Sequence, residues 1–511
     1  MDNLLSNLAN QASTHSNAIA LRSGSSSISY GTLYRDVERV AEELRAHSIR
    51  RAGLFLDNSI DWVVIDLACA LANITVVPLP WFFSPLQLSY AVQNAQLDSI
   101  VTRGVLPNVP EVGGAGFNLY ASSSLHRINQ QSLITVAGAH PLSKLSYTSG
   151  TTGTPKGIEL SYDLIDKVCS SISELTSGLN INRHLSVLPY STLLENICGI
   201  YAPLSRGITV FSESAERLGL SSTLTINPER LASVINKIRP NSLILTPQLL
   251  KLLCVLVETS QVDIKSLIFV AVGGARVGTS LLKRAQSLGI PVYEGYGLTE
   301  FGSVAMLNTP RDNRPNSVGK PLPHVRVSFA EDDEIILKTN IKIAHQKTSP
   351  TACHEIHTGD LGYIDSDGFV YVNGRKKNTI VLSTGRNVSP EWIEGELNSL
   401  PVIAQSFVFG EAEAQLSALI IAQHQSVDRE TIKLAIEKLN QGLPAYARLT
   451  CWHHLNQPFT VANGLLTANG RPRRAQILEN LKTLIEEDAV SKNTFSQALP
   501  NFNSTQEHLA C

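Results

Sequence analysis

The chain has 511 residues, more than one ordinary core holds, and this length calls for two to four structural units. With 43% hydrophobic and 17% charged residues it reads as soluble and globular, and a formal net charge of -2, from 42 basic and 44 acidic residues without a long basic run, excludes nucleic acid as an expected partner. The seven cysteines (Cys69, Cys169, Cys198, Cys254, Cys353, Cys451, Cys511) are scattered and lack Cys-x-x-Cys spacing, so reduced, mostly buried thiols and a cytoplasmic location are expected.

The N-terminal "MDNLLSNLANQ" lacks the basic start and apolar core of a signal peptide, which disfavours secretion. An amphipathic helix is predicted over 30–47. The apolar stretch "WVVIDLACALANITVVPLPWFF" from Trp62 to Phe83 is long enough to span a bilayer, but it carries Asp66 and Asn73 inside and two prolines near its end. A buried helix over 62–73 feeding a short strand over 74–79 fits it better, and no membrane anchor is predicted.

"YTSGTTGTPKG" at 147–157 is next. It is not the phosphate loop of nucleotide hydrolases: counted from Gly150, Pro155 stands where the second glycine belongs and Gly157 where the hydroxyl belongs. What remains is a hydroxyl-lined turn with one cation, able to bring N–H groups up to a phosphate chain. Beyond it a predicted helix (228–239) alternates with β-rich runs (241–247, 266–274, 290–297). Such alternation implies parallel sheets covered by helices on both faces, with ligands at the carboxyl ends of strands, where "VGGA" and "YEGYGLTE" fall. After residue 320 short strands and turns take over. From about Lys377 a smaller α+β module follows, with helices near 390–399, 429–440 and 473–486, and the polar tail after Ala489 is expected to be disordered. The expected division is therefore 1–376, 377–488 and a tail over 489–511.

Taken in order, "YTSGTTGTPKG", "VGGARVG" (272–278), "YGLTE" (296–300), "TGDLGY" (358–363), "GRKKNTIVLSTGRNVSPEWIEGEL" (374–397) and "LTANGRPRR" (466–474) resemble the adenylate-forming (AMP-binding) superfamily, in its acyl-CoA synthetase and fatty acyl-AMP ligase branch. Any one of these motifs is weak; Asp360 alone would read as a turn residue, Glu300 as a surface carboxylate and Arg375 as part of a basic loop. The ordered set reverses that preference. The resemblance implies a large N-terminal domain of layered helices and mostly parallel sheets, with a small mobile α+β C-terminal domain. It implies ATP-dependent activation of a carboxylic acid to acyl-AMP with Mg2+, then acyl transfer to the thiol of coenzyme A or of a phosphopantetheinyl carrier protein. By the same resemblance Thr148, Ser149, Gly150, Thr151, Thr152, Gly153 and Lys156 hold the β- and γ-phosphates. Gly274, Ala275, Gly295, Tyr296 and Gly297 lie against adenine, Thr299 meets the α-phosphate and Glu300 binds Mg2+. Asp360 takes the ribose hydroxyls with Arg375 assisting, Lys377 is the hinge, Gly385 lines the thiol tunnel, and Thr192 and Gly273 border the acyl pocket. Lys156, Thr299, Glu300 and Arg471 are the expected catalytic set.

Two positions depart from the pattern. Arg471 stands where the superfamily usually has lysine directly after "NG", and a planar fork does not simply replace a compact ammonium. Thr192 stands where many relatives carry histidine or an aromatic residue at the acyl tunnel. The segment 188–204 lacks the aspartate that amino-acid-activating relatives use, which disfavours an amino acid; its "LPYSTLLENI" most resembles the fatty acyl branch and shows no partner for a polar acyl group, so a medium- or long-chain fatty acid is the first expectation and an aryl acid the alternative. A luciferase-type oxidase is disfavoured by Val381, where a lysine would be needed, and a weakened nucleotide-binding homologue is favoured only by Arg471.

Overall fold

The computed structural model describes residues 2–104, 109, 112–128, 143–148, 156–221, 226–341, 343, 354–467 and 470–485. Two large sheets dominate. The nine-stranded sheet runs Lys320–Pro321, Met306–Leu307, Val292–Tyr296, Phe269–Val272, Ser242–Leu245, Arg183–Ser186, Thr209–Ser212, Ile19–Ser23 and Ser26–Ser29; its interior pairs are parallel and its outer ones antiparallel. The seven-stranded sheet is built alike, with parallel pairing among Ser99–Arg103, Arg51–Phe55, Thr75–Pro78 and Ser143–Thr148. Parallel strands buried on both faces are the outcome expected from alternating helices and apolar runs.

The helices begin where their residues say they should. Ser29 caps Tyr30–Ala46 by accepting from the Thr32 N–H, and Asn227 with Pro228 starts Pro228–Ile238. The stretch that could have crossed a membrane folds as the helix Ile60–Leu71, capped by Ser59, followed by the strand Thr75–Pro78. Its interior Asp66 is fully buried against Lys144, whose Nζ donates to Asp66 Oδ1 at 2.7 Å, to Asn196 Oδ1 at 2.6 Å and to Tyr201 Oη at 2.7 Å. Burial lowers the Lys144 pKa and Asp66 opposes that; three acceptors around one ammonium are what make a buried lysine tolerable. Among the described residues no helix is long and apolar enough to cross a membrane.

A four-stranded antiparallel sheet, Arg326–Phe329, Glu334–Lys338, Glu355–Ile364 and Val370–Arg375, precedes the last module. That module has its own apolar clusters, one of them around Ile393, Ile420 and Ile436. Its helices include Pro390–Ser399, Arg429–Gln441 and Arg474–Glu479, and after a turn at 480 helix resumes over 481–485, so the segment predicted near 473–486 is helical with one break among the described residues. Cys69, Cys169, Cys198 and Cys254 are free thiols as expected; Cys451 is disulfide-bonded, which corrects the expectation there.

Candidate active site

Three neighbouring parallel strands, Ser242–Leu245, Phe269–Val272 and Val292–Tyr296, end at one edge of the nine-stranded sheet. Two of them continue into glycine. At Gly297 an added Cβ would stand 1.9 Å from the Ser303 carbonyl oxygen, so only glycine lets the loop fold back so closely; at Gly273 it would stand 3.1 Å from the Gly295 carbonyl. Gly274 has φ +83° and nothing within 4 Å of an added Cβ, which leaves its backbone open on the side facing the site. Thr299 and Glu300 follow in a short 3-10 turn, Thr299–Phe301.

Asp360 and Arg375 are cross-strand partners in the four-stranded sheet. Arg375 Nε donates to Asp360 Oδ1 at 2.9 Å and the Tyr296 hydroxyl donates to Oδ2 at 2.6 Å. The strand end Tyr296 and the pair Asp360–Arg375 are thereby one unit. Burial raises the Asp360 pKa, while Arg375 and Tyr296 pull it down. Each carboxylate oxygen has a second lone pair, so both can still accept from a diol.

Arg471 arrives from the last module. Its backbone is pinned in a tight turn, with its N–H donating to Thr467 Oγ1 at 3.1 Å and its carbonyl accepting from the Thr467 N–H at 2.8 Å. From there Nη2 crosses to the Gly274 carbonyl at 2.9 Å. Loss of surrounding water, then the charge of Arg375, lowers its pKa, and Asp360 and Glu300 oppose this. One side of the residue stays open to solvent, and a guanidinium remains cationic under such a shift. The structure thus gathers Gly274, Tyr296, Asp360, Arg375 and Arg471 by contact, with Glu300 within Arg471's electrostatic reach.

Other expected residues lie elsewhere or cannot be placed. Ser149, Gly150, Thr151, Thr152 and Gly153 are outside the described residues, as is the Thr148 side chain; the ends of their stretch pair as a hairpin, Thr148 opposite Lys156. Ala275 is exposed beside Gly274. Thr192 is exposed on the turn before a π-helical segment, Glu195–Tyr201, that opens on a buried Glu195 bonded through His184 to Ser242. Lys377 sits in the 3-10 turn Lys376–Asn378 and Gly385, φ +76°, at an exposed turn with nothing within 4 Å of an added Cβ. Among the described residues no group of three or more histidine, cysteine, aspartate and glutamate residues could hold a metal. A single carboxylate such as Glu300 still suits Mg2+, which keeps several waters and takes the rest of its oxygens from phosphates.

Glu294, one strand position before Gly295, escaped the sequence reading because it looked like part of the glycine motif. It is buried, and burial lifts its carboxyl to about 8 even though the Asn316 N–H donates to Oε2 at 3.0 Å and Arg276 carries an opposing charge. Its folded pKa lies above the unfolded value of 4.5, so its contribution is fully present below pH 4.5 and is lost as pH rises through about 8. Glu294→Gln is therefore expected to be more stable than the wild type at pH 9, by on the order of 3 to 5 kcal/mol, with the gap closing towards pH 4.5. Urea unfolding at both pH values measures it; parallel pH curves for the two proteins would sink the assignment.

A family model described as AMP-binding enzyme matches residues 8–338, and one described as AMP-binding enzyme C-terminal domain matches residues 377–490. The 2-succinylbenzoate–CoA ligase of Staphylococcus aureus strain MSSA476 is 25% identical over 481 residues, covering 86% of this chain and 94% of its own. The solved anthranilate CoA ligase AuaEII in complex with anthranoyl-AMP gives a TM-score of 0.74 at 18% identity, covering 94% of this chain and 97% of that one. O-succinylbenzoate coenzyme A synthetase from Bacillus subtilis, solved with ATP and magnesium ion, gives 0.71 at 22% identity, covering 92% and 99%.

Proposed function

The chain belongs to the AMP-binding enzyme family, and from that premise we propose that this ATP-dependent acid–thiol ligase takes an aromatic carboxylic acid and passes it to coenzyme A. The expectation of a fatty acid gives way here: the matched relatives carry succinylbenzoate and anthranilate in their names, and they are named as CoA ligases rather than carrier-protein ligases. ATP, Mg2+ and coenzyme A are the implied cofactors. The observation that carries the reading is the reach of Arg471 across to the Gly274 carbonyl, which brings a cation beside Asp360, Arg375 and Glu300.

In the first step a carboxylate oxygen of the acid attacks the α-phosphorus, the new acyl–phosphate bond forms, and pyrophosphate leaves. Two anions must meet, so positioning and positive charge do most of the work. Arg471 neutralises charge developing on the α-phosphoryl oxygens, and Thr299 donates there. Asp360 accepts from the ribose hydroxyls, held in place by Arg375 and Tyr296, while Gly274, Ala275 and Gly295 to Gly297 leave a flat bed for adenine. Lys156 pairs opposite Thr148, and Ser149 to Gly153, which come between them in the chain, are assigned the outer phosphates with it. Mg2+, held through Glu300, supplies charge neutralisation when bound. In the second step the thiol sulfur attacks the acyl carbon and AMP leaves. Thr192 and Gly273 are assigned the border of the acid pocket. The division at 377 is assigned the boundary between a large domain and a mobile small one.

ATP–pyrophosphate exchange over a panel of acids tests this reading. Exchange is expected with 2-succinylbenzoate, anthranilate or benzoate above decanoate or palmitate; the reverse order restores the fatty acid, and no exchange with any acid ends the proposal. Asp360→Ala is expected to weaken ATP binding by about 1.5–3 kcal/mol, the worth of hydrogen bonds to a charged group. Calorimetric titration of ATP checks it, and a wild-type Kd would remove the ribose role.

A further inference from the structure

The last module is fastened to the rest of the chain at a second place, distinct from the Arg471 crossing. The helix Thr279–Ser287 begins at Gly278, which has no side chain to cap it. The cap comes from the other module: Glu396 accepts from the Thr279 N–H at 2.8 Å and the Ser280 N–H at 3.3 Å, and from the Ser280 hydroxyl. Such a carboxylate meets the positive end of a helix. Glu396 lies on Pro390–Ser399, and the end of that helix is closed in return. Lys251, on the helix Pro247–Glu258, places Nζ 2.9 Å from the Asn398 carbonyl, 2.7 Å from Leu400 and 2.6 Å from Ile403. Burial, then Arg284, brings Lys251 down to about 8. Three acceptors need three donors, and only the ammonium form has them. Between these points the backbones nearly touch: a Cβ at Gly278 would fall 2.2 Å from Ser399 Oγ and 2.4 Å from the Gly395 carbonyl.

We propose that Lys251 and Glu396 are positioning residues for adenylation, forming a two-ended clasp on the helix Pro390–Ser399 that holds Arg471 at Gly274. This rests on the two-step reading above with its mobile small domain, and adds that Arg471 must leave Gly274 before the thiol can enter. The clasp suits release. Every bond in it runs to a backbone group or a hydroxyl that water can satisfy once the surfaces part, and no apolar core is opened. Opening the clasp therefore frees the small domain to rotate without unfolding either part.

The test uses the full chain, with nitroxide labels carried on genetically encoded side chains at exposed Lys283 and Leu434, one on each side of the clasp. The wild type is expected to give one dominant distance. Lys251→Met and Glu396→Gln, each folded by circular dichroism, are expected to populate a second distance. With the aromatic acid that supports exchange, each variant is expected to lose at least ten-fold in ATP–pyrophosphate exchange and to keep or raise thioester formation from supplied acyl-adenylate. Wild-type distances in both variants, or an equal fall in both half-reactions, would overturn the proposal and leave the contacts as plain stabilisers. If no acid supports exchange in the wild type, the functional reading fails, while the distances still decide the clasp.

Discussion

Arg471→Ala is expected to depress acyl-adenylate formation about 100-fold or more, the loss seen when one donor to a developing oxyanion is removed, while Arg471→Lys keeps or improves it. The expectation follows from where the side chain is held. The Thr467 turn fixes its backbone, and among the described residues only Nη2 is committed to a protein acceptor, the Gly274 carbonyl. The rest of the fork is available to a phosphoryl or carboxylate oxygen. Alanine removes that charge from a site where Asp360 and Glu300 already contribute negative charge. Lysine restores it on a shorter reach and with rotatable donors. The pair is the informative measurement, by pyrophosphate exchange with the preferred acid. Wild-type rates from both would make Arg471 a bystander and turn attention to Arg473, whose buried Nε has no hydrogen-bond partner among the described residues.

What the residues alone made legible was everything written in side-chain type at short range. The helices predicted from 30, 228 and 390 begin there, capped by Ser29, Asn227 and Ser389, while the one predicted from 62 begins at Ile60 behind Ser59. The interior Asp66 argued against a membrane span, although its partner Lys144 could not be guessed: a lone lysine in sequence reads as surface. The glycines at 273, 274 and 297 fall at the strand ends, and Asp360 and Arg375, drawn to one site only by the family resemblance, are cross-strand partners. Glu294 was missed because nothing in "YEGYGLTE" distinguishes a buried carboxylic acid from a motif filler. The clasp was illegible for a different reason. Lys251 is held by three carbonyls and Glu396 acts mainly on N–H groups 117 and 116 residues away; backbone partners carry no sequence signal. The fatty acid expectation rested on the likeness of "LPYSTLLENI" to the fatty acyl branch, while the missing aspartate in 188–204 spoke only against an amino acid. That absence does not separate an aliphatic acid from an aromatic one.

Lys377→Pro is expected to leave pyrophosphate exchange within a few-fold of the wild type and to lower thioester formation from supplied acyl-adenylate about 100-fold. The structure shows why this substitution tests alternation more cleanly than its companion. Lys377 is the middle residue of the 3-10 turn Lys376–Asn378, and proline's fixed φ of about -65° lies within the range of such a turn. The orientation with Arg471 at Gly274 stays accessible, and any rotation that needs another φ at this residue is blocked. Lys376, alongside, is tied to Asp332 and Glu334 in the large domain, so the turn has one anchored side and the φ change falls on the next residues. Gly385→Leu asks a less clean question. Gly385 has φ +76°, which a leucine adopts only under strain in either orientation, so a loss there would mix strain with obstruction of the thiol path. Thioester formation at the wild-type rate in Lys377→Pro would remove the hinge role from this residue. The first half-reaction falling as far as the second would show instead that the proline had broken the turn.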